Sequence, residues 1–318
     1  MKACIYKKFG KESVLEWVDD WPTPVCDADS LLIEVAASSI NPKDGFLRRG
    51  KFSSTLARDP LPRLTGLDLS GTVIEVGANV SHFRLGDAVI GMTNNFSGGV
   101  LGHYAVLKES EAGKAPTSIP LYAAASIPLA AQTAFQALRN ICAVTQGSKV
   151  LITGASGGVG HFAIQIAKQL GAHVHGVCGS DNIDFVASIG ADKVFDYKTR
   201  NLLELDEHYD AIFDSAGRYQ RSDFSQQLRK SGVFVSTVPT GKSLFMEFAA
   251  RLGISNKERL VAVHSLRSDL EQLAQWVDEK KIVPHIQKVY YPIEIGAAHL
   301  QIQSGHTRGK IVISLNSS

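Results

Sequence analysis

The chain has 318 residues, of which 44% are hydrophobic and 20% charged, and its 33 Lys and Arg against 31 Asp and Glu leave a formal net charge of +2. At about 150 residues per domain, this length predicts two domains. The composition excludes a disordered chain and one built around membrane spans, and the near-neutral charge excludes the basic footprint of a nucleic-acid-binding protein.

The cysteines and the first residues bear on metal content and compartment. The four cysteines are scattered without a C-x-x-C pair, which argues against a disulfide framework and a thiolate zinc site. The start, MKACIYKKFG, has early lysines but no apolar stretch of signal-peptide length. The most apolar window, residues 121–138, is interrupted by polar residues and is a poor membrane span. We therefore predict a cytoplasmic protein without a membrane partner.

The pattern of hydrophobic residues changes along the chain. The first third carries short runs typical of strands, such as Leu31–Val35 and Gly71–Val76, separated by Gly, Pro, Asp and Asn clusters. This spacing predicts a mainly β domain. From about Lys149, strand and helix patterns alternate, which predicts an α/β domain with a doubly wound parallel sheet.

The second half contains the pattern of two helices and six strands. Apolar residues from Val159 to Leu170 recur at helical spacing, and Gly171 ends this helix. A second helix is predicted to end near Gly190. The predicted strands are Lys149–Thr153, His173–Cys178, Lys193–Phe195, Ala211–Asp214, Val233–Thr237 and Leu260–Val263. Such a set is what two mononucleotide-binding halves require.

One more helix and a last strand are predicted after these elements. Ser268 and Glu271 have the spacing of a capping box, and the apolar face of the helix that follows begins at Leu270. The tail Gly309–Leu315 has the pattern of a strand.

A glycine-rich turn joins the strand Lys149–Thr153 to its helix. The turn has the pattern A-x-G-x-x-G, with Ala155 in the place of the usual first glycine. Backbone N–H groups and the helix dipole at a helix start attract a pyrophosphate, and glycines let it approach the main chain. The order of strand, turn and helix predicts a dinucleotide site, with a turn needed only for packing as the alternative.

The residues after the strand His173–Cys178 bear on the choice between NAD and NADP. An acidic residue about 20 residues after the glycine turn would bind the ribose 2′-hydroxyl of NAD, and Gly179 stands at that place. Ser180 and Asn182 could donate hydrogen bonds to a 2′-phosphate, whereas an inward-pointing Asp181 would repel it. The favoured alternative is that Asp181 is a solvated carboxylate, because aspartate is common in such turns.

Several stretches spread over the whole chain carry a family resemblance. They are Ala36–Asp44, Gly66–Val73, Ala124–Ala134, the glycine turn, Gly190–Tyr197 and Ser304–Val312. Together they resemble the zinc-independent medium-chain dehydrogenases/reductases of the quinone oxidoreductase (ζ-crystallin-like) type. The resemblance implies a GroES-like β domain, residues 1–122 and 266–318, and a Rossmann dinucleotide-binding domain, residues 123–265. It also implies hydride transfer from NADPH.

The resemblance further implies which residues bind the cofactor. The residues expected to hold the pyrophosphate are Ala155, Ser156, Gly157, Gly158 and Val159. The residues expected near the 2′-phosphate are Ser180, Asn182 and Tyr197. The family usually has Lys or Arg where Asp181 stands, so NADH stays open beside NADPH. The residues expected on the nicotinamide side are Asn41, Asp44, Thr133, Ser215, Ala216 and Val238, with Arg308 near the same cleft.

Zinc is not expected. Related zinc alcohol dehydrogenases bind catalytic zinc through Cys, His and Cys, and the matching places here are Asn41, Leu67 and Leu129. None of these side chains replaces its ligand. The four-cysteine structural site is missing as well, since residues 87–102 contain no cysteine. We therefore predict a protein with no metal.

Without a metal, another polar group must stabilise negative charge that develops on oxygen. Quinones and α,β-unsaturated carbonyls suit this case because they delocalise that charge. Phe46 and Phe52 occupy the stretch where some enoyl reductases of the wider family have a proton-donating tyrosine, so we name no general acid. Asn41 is the candidate that orients substrate or cofactor, with capping of the Asn41-Pro42 turn as the alternative.

The predicted function is that of a zinc-independent, NADPH-dependent oxidoreductase acting on a quinone or an enone. The enzymatic alternative is an enoyl-thioester reductase. The non-enzymatic alternative is an NADPH-binding structural or adaptor protein. The resemblance also predicts a homodimer that associates through the last strand of the Rossmann domain, near Leu260–Val263.

Overall fold

A computed structural model describes residues 1–238 and 257–315, which fall into two units. Unit 1 comprises Met1–Gln132, His264–Lys280 and Pro284–Ser318, and unit 2 comprises Thr133–Val263 and Lys281–Val283. Within the described ranges, no helix combines the length and the apolar character needed to cross a bilayer.

The strands and helices are numbered in chain order. The strands are β1 (Ala3–Tyr6), β2 (Leu15–Val18), β3 (Ser30–Ile40), β4 (Arg63–Leu64), β5 (Asp68–Val76), β6 (Ala88–Met92), β7 (Tyr104–Lys108), β8 (Ala112–Lys114), β9 (Lys149–Thr153), β10 (His173–Cys178), β11 (Lys193–Asp196), β12 (Tyr209–Asp214), β13 (Leu228–Ser236), β14 (Glu258–Leu260), β15 (Ile286–Tyr290) and β16 (Lys310–Ser314). The α-helices are α1 (Pro42–Arg48), α2 (Leu121–Ala124), α3 (Pro128–Phe135), α4 (Gly160–Gln169), α5 (Ile183–Ser188), α6 (Arg267–Asp278) and α7 (Ile295–Gln303).

Unit 1 is built on a seven-stranded sheet in the order β15-β16-β3-β5-β6-β8, with β7 also paired to β3. Leu31, Ile33 and Val35 alternate along β3 and enter the core, which confirms the strand predicted there. The register places Ile311 of β16 opposite Ile40 of β3, and Ser39 of β3 opposite Asp68 of β5. The ends of β3, β5 and β16 therefore meet at one place.

Unit 2 contains a six-stranded parallel sheet in the order β11-β10-β9-β12-β13-β14. Val150, Leu151 and Ile152 are fully buried, as expected of a central strand covered on both faces. The strand order reverses between β9 and β12, and this confirms the predicted doubly wound fold.

Two predicted details are wrong. The last strand of the sheet is Glu258–Leu260 and not Leu260–Val263, because its pairing with β13 ends at Leu260. Ser268 does not cap α6, which begins at Arg267 with Leu266 at the N-cap and no side-chain cap. The Leu266 N–H donates to Gln132 Oε1 at 2.9 Å, so a residue far away in the sequence fixes the start of this helix.

The other predicted strands and helices are present, although some begin or end at different residues, as β13 does, which begins at Leu228 and not at Val233. The apolar face of α6, which begins at Leu270, is buried. The edge of the described sheet is β14, and the predicted dimer contact overlaps the end of this strand. The homodimer itself stays a prediction.

Candidate functional site

The glycine turn of unit 2 is closed so tightly that two of its positions accept only glycine. Gly154 follows β9 with a φ of +64°, where L side chains are strained. A Cβ added to Gly160, at the start of α4, would lie 2.1 Å from the carbonyl oxygen of Gly154. The turn therefore brings main chain against main chain.

Ala155 fits where the usual pattern has its first glycine. It is completely buried, and its N–H donates to the carbonyl oxygen of Val177 at 2.9 Å. The following residues Ser156, Gly157, Gly158 and Val159 stay partly accessible in front of α4. A helix of ten residues begins directly after them, so its N–H groups and dipole favour an anion at this turn.

Buried hydrogen bonds join the carboxyl ends of β9 and β12. Thr153 Oγ1 donates to Asp214 Oδ1 at 2.5 Å, and Ser215 Oγ donates to the Thr153 carbonyl oxygen at 2.6 Å. Asp214 is fully buried and also accepts the N–H groups of Gly217 and Tyr219. Ligands of doubly wound sheets bind where the strand order reverses, and these bonds fix the main chain at that point.

Val238 and Thr133 are the other predicted residues of unit 2. A Cβ added to Gly217, which follows Ser215 and Ala216, would lie 2.1 Å from Val238 Cγ2. Val238 therefore packs on the loop after β12, which also contains Ser215 and Ala216. Thr133 lies in α3 and is only 5% exposed.

The residues predicted near the 2′-phosphate lie together at the ends of β10 and β11. Tyr197 is 44% exposed, and its hydroxyl oxygen is 3.3 Å from where a Cβ of Gly179 would stand. The Asn182 N–H donates to the Gly179 carbonyl oxygen at 2.9 Å. Ser180 Oγ donates to Asp196 Oδ2 at 2.6 Å, a contact that sequence reasoning missed.

Unit 1 contains a buried polar cluster formed by Ser39, Asn41, Asp44, Asp68 and Lys310. Lys310 Nζ donates to Asn41 Oδ1 at 2.5 Å, and both residues are 2% exposed. Asn41 Nδ2 donates to Asp68 Oδ1 at 3.3 Å and to the Ser39 carbonyl oxygen at 3.4 Å. The amide of Asn41 is therefore held in one orientation by its neighbours.

Asp68 is the main acceptor of this polar cluster. It is fully buried and accepts the N–H and the hydroxyl of Ser39, the Asn41 amide and the Leu129 N–H. Burial raises the pKa of Asp68, while Lys310 and these hydrogen bonds lower it. Burial lowers the pKa of Lys310, and Asp68 and Asp44 raise it. The ammonium therefore stabilises the charged forms of both carboxylates, whereas Asp68 raises the pKa of Asp44 by repulsion of like charges.

Asp44 caps the first turn of α1, since its Oδ2 accepts the Asn41 N–H at 2.8 Å. Its other oxygen, Oδ1, has no hydrogen-bond partner among the described residues. Burial raises the pKa of Asp44 to about 7, against the lowering effect of the Asn41 N–H. The group therefore changes protonation near neutral pH.

This raised pKa predicts a pH dependence of stability. Asp44 holds a proton in the folded chain up to about pH 7, whereas an unfolded aspartate loses it near pH 3.9. Folding then takes up a proton, so the contribution of Asp44 to stability is full below about pH 3.9 and is lost as the pH rises to about 7. Asp44→Asn keeps the acceptor for Asn41 and should remove this slope in urea unfolding measured from pH 4.5 to 8. Parallel pH profiles of the two proteins would contradict the assignment.

Arg308 lies in unit 1 two residues before Lys310. It is half-buried, and its N–H donates to Gln287 Oε1 at 2.8 Å. The predicted role of Arg308 near the cleft stays a prediction.

Comparisons with known proteins match both the first and the second half of the chain. Residues 27–117 match the alcohol dehydrogenase GroES-like domain, and residues 189–313 match a zinc-binding dehydrogenase domain. A chloroplastic quinone-oxidoreductase homolog of Spinacia oleracea is 34% identical over 298 residues, 90% of each chain. The chain belongs to the quinone oxidoreductase family of the medium-chain dehydrogenases/reductases. The quinone oxidoreductase of Coxiella burnetii superposes with a TM-score of 0.88 at 32% identity over 99% of each chain. The bovine mitochondrial NAD(P)H oxidoreductase RTN4IP1 is 33% identical over 99% of this chain and 89% of its own.

These findings confirm the predicted family, the fold and an oxidoreductase activity. They establish an NAD(P)H-type cofactor at the level of the family, while the assignment of individual site residues stays a prediction. Asp68 and Lys310 were missed as site residues, although the sequence held a signal for both. Each is a charged residue directly before the apolar residues of a strand.

The side chains at the three predicted zinc-ligand places do not suit zinc. Leu67 is fully buried in an apolar cluster with Leu47 and Ala57, and Leu129 packs against that cluster. The side-chain amide of Asn41 is already hydrogen-bonded to Lys310 and Asp68. Over the described ranges, no group of three or more His, Cys, Asp or Glu side chains is placed to hold a metal ion.

Proposed function

We propose that this quinone oxidoreductase reduces a quinone or an α,β-unsaturated carbonyl with NADPH and without zinc. The observation that carries the proposal is a complete dinucleotide turn in a chain whose zinc-ligand places hold Asn41, Leu67 and Leu129. The names of the relatives, which mention quinones and NAD(P)H, support the substrate class and the cofactor.

Different residues of the chain would bind the cofactor and stabilise the negative charge that develops on the substrate. N–H groups at the start of α4 would hold the pyrophosphate, and the ends of β10 and β11 would hold the adenosine ribose. A bound nicotinamide cofactor supplies the hydride. The substrates of this proposal delocalise the resulting negative charge, so they need polarising groups rather than a metal. Lys310 fixes the Asn41 amide, and Asp44, whose pKa burial raises to about 7, lies next to Asn41.

Turnover tests the proposal directly. Purified protein is mixed with NADPH or NADH and a panel of quinones, enones and a crotonyl thioester, and oxidation of the nicotinamide is followed. We expect oxidation with quinones or enones. Faster turnover of the thioester would favour the enoyl-thioester reductase, and tight cofactor binding without turnover would favour the adaptor. Failure to bind either nucleotide would overturn the proposal.

Chelation gives a second prediction. Since no side chain at the zinc-ligand places can bind the metal, dialysis against a strong chelator should leave kcat/KM unchanged. A zinc-dependent alcohol dehydrogenase treated in parallel should lose its activity and serves as the control. Loss of activity that added Zn²⁺ restores would show that this proposal is wrong about the metal.

The cellular compartment stays a prediction. The relatives reported above are chloroplastic and mitochondrial by name, whereas the sequence alone predicts a cytoplasmic protein. Fractionation of cells that express the full chain would decide between these compartments.

A further inference from the structure

We propose that Asp196 determines cofactor selectivity by holding the Ser180 hydroxyl in an orientation that suits the ribose of NADH and weakens the preference for NADPH. This inference rests on the proposed nicotinamide-dependent function. The residues concerned lie at the ends of β10 and β11, where the adenosine ribose is predicted to bind.

The register of the parallel strands brings these residues together. Asp196 is the last residue of β11 and lies beside Cys178, the last residue of β10. Ser180 comes two residues after Cys178, and its Oγ donates to Asp196 Oδ2 at 2.6 Å. The other oxygen, Oδ1, accepts the Lys198 N–H at 2.9 Å. The Asp196 carboxylate is thus fixed from both sides.

The contact between Asp196 and Ser180 leaves the hydroxyl oxygen of Ser180 as a hydrogen-bond acceptor that faces the solvent. Asp196 is 8% exposed, whereas Ser180 is an exposed residue. A hydroxyl has one hydrogen to donate and two lone pairs to accept with. Because a carboxylate takes the hydrogen of Ser180 in a short, charge-assisted bond, the serine offers its lone pairs to a ligand.

NADH and NADPH differ in the hydrogen-bonding group that they carry at the 2′ position of the adenosine ribose. The ribose of NADH carries a 2′-hydroxyl that donates a hydrogen bond, while NADPH carries a 2′-phosphate that only accepts. The Ser180 hydrogen bond and the Lys198 N–H lower the pKa of Asp196, which is therefore ionised at neutral pH. This negative charge next to Ser180 would also repel a 2′-phosphate bound there.

Other groups of the same surface keep NADPH acceptable. The hydroxyl of Tyr197 lies beside Gly179, and Lys198 follows in the same turn. Both side chains are exposed and carry donors. The wild-type protein should therefore bind both cofactors, with dissociation constants that differ by no more than about tenfold.

Asp196→Asn is the decisive variant. The amide oxygen can still accept the Lys198 N–H, while the amide nitrogen donates to Ser180 Oγ and frees the serine hydrogen for a phosphate. We expect the ratio of the NADH to the NADPH dissociation constant to rise about tenfold, the effect of one charge-assisted hydrogen bond. Nicotinamide fluorescence titrations measure both constants.

Asp192→Asn is the matched control. It removes one negative charge just before the start of β11, about 13 Å along the strand from Asp196. The ratio should not change in this variant. An equal change in both variants would mean that net charge alone acts, and the inference would be overturned.

Ser180→Ala keeps the inference testable if Asp196→Asn does not fold. It should weaken NADH and leave NADPH binding nearly unchanged, because the native serine does not donate to the phosphate. Selective loss of NADPH affinity in Ser180→Ala, or an unchanged ratio in a folded Asp196→Asn, overturns the inference. Binding of neither cofactor to the wild type overturns the proposed function instead.

Discussion

Gly160→Ala should destabilise unit 2 by about 3 kcal/mol and abolish NADPH binding. The added Cβ would lie 2.1 Å from the Gly154 carbonyl oxygen and 2.8 Å from the Ala155 Cα. Both neighbours belong to the main chain, so no side-chain rotation relieves the clash. The turn has to open, and the N–H groups in front of α4 then lose their arrangement.

Gly157→Ala is the control from the same turn. Its Cβ would meet only the Gly154 carbonyl oxygen, at 3.3 Å, so the fold should lose little stability. Gly157 is partly accessible at the predicted pyrophosphate position, and a methyl group there should still weaken NADPH binding. Urea unfolding and fluorescence titration separate the two effects. If Gly160→Ala unfolds at the wild-type urea concentration and binds NADPH normally, the described turn is wrong.

Lys310→Met should destabilise unit 1 by about 3–5 kcal/mol, the usual effect of removing one partner from a buried set of charges. Lys310 is 2% exposed, and its ammonium favours the charged forms of Asp68 and Asp44. Without it, the Asn41 amide also loses the donor to its oxygen. Methionine keeps most of the side-chain volume, so the loss reports charge and hydrogen bonding rather than packing.

The pH dependence distinguishes this effect from a simple packing defect. Without the ammonium, the pKa values of both carboxyl groups should rise further in the folded chain. The defect should then be largest above pH 7 and shrink as the pH falls, because protonated carboxyl groups no longer need a cation. Asp68→Asn combined with Lys310→Met should recover part of the stability. A defect of equal size at pH 5 and pH 8 would contradict the electrostatic explanation.

Local patterns in the sequence predicted local structure well. The predicted bounds of β9 and β10 are those of the structure, because apolar runs between turn residues specify buried parallel strands. The glycine turn was recognised because its tight approach involves residues close together in the sequence. Gly171, with a φ of +83°, ends α4 as predicted.

Contacts between distant parts of the chain were not predictable in the same way. Asn41 and Lys310 are 269 residues apart, and only the antiparallel register of β3 and β16 brings them together. The Ser180 contact with Asp196 depends on the register of β10 and β11. The start of α6 depends on Gln132, so a local capping pattern gave the wrong residue. The family resemblance supplied the cofactor residues but not these contacts.

The position of β16 has a consequence for synthesis on the ribosome. This strand is inserted between β15 and β3, although its residues are translated after every other strand of the sheet. At 5–20 residues per second, roughly 13–54 s pass between the translation of Asn41 and that of Lys310, which are 269 residues apart. During this interval the nascent chain carries Asp44 and Asp68 without their cation. All strands of unit 2 are made before Lys310, so this unit is available to fold first while unit 1 waits for its last strand.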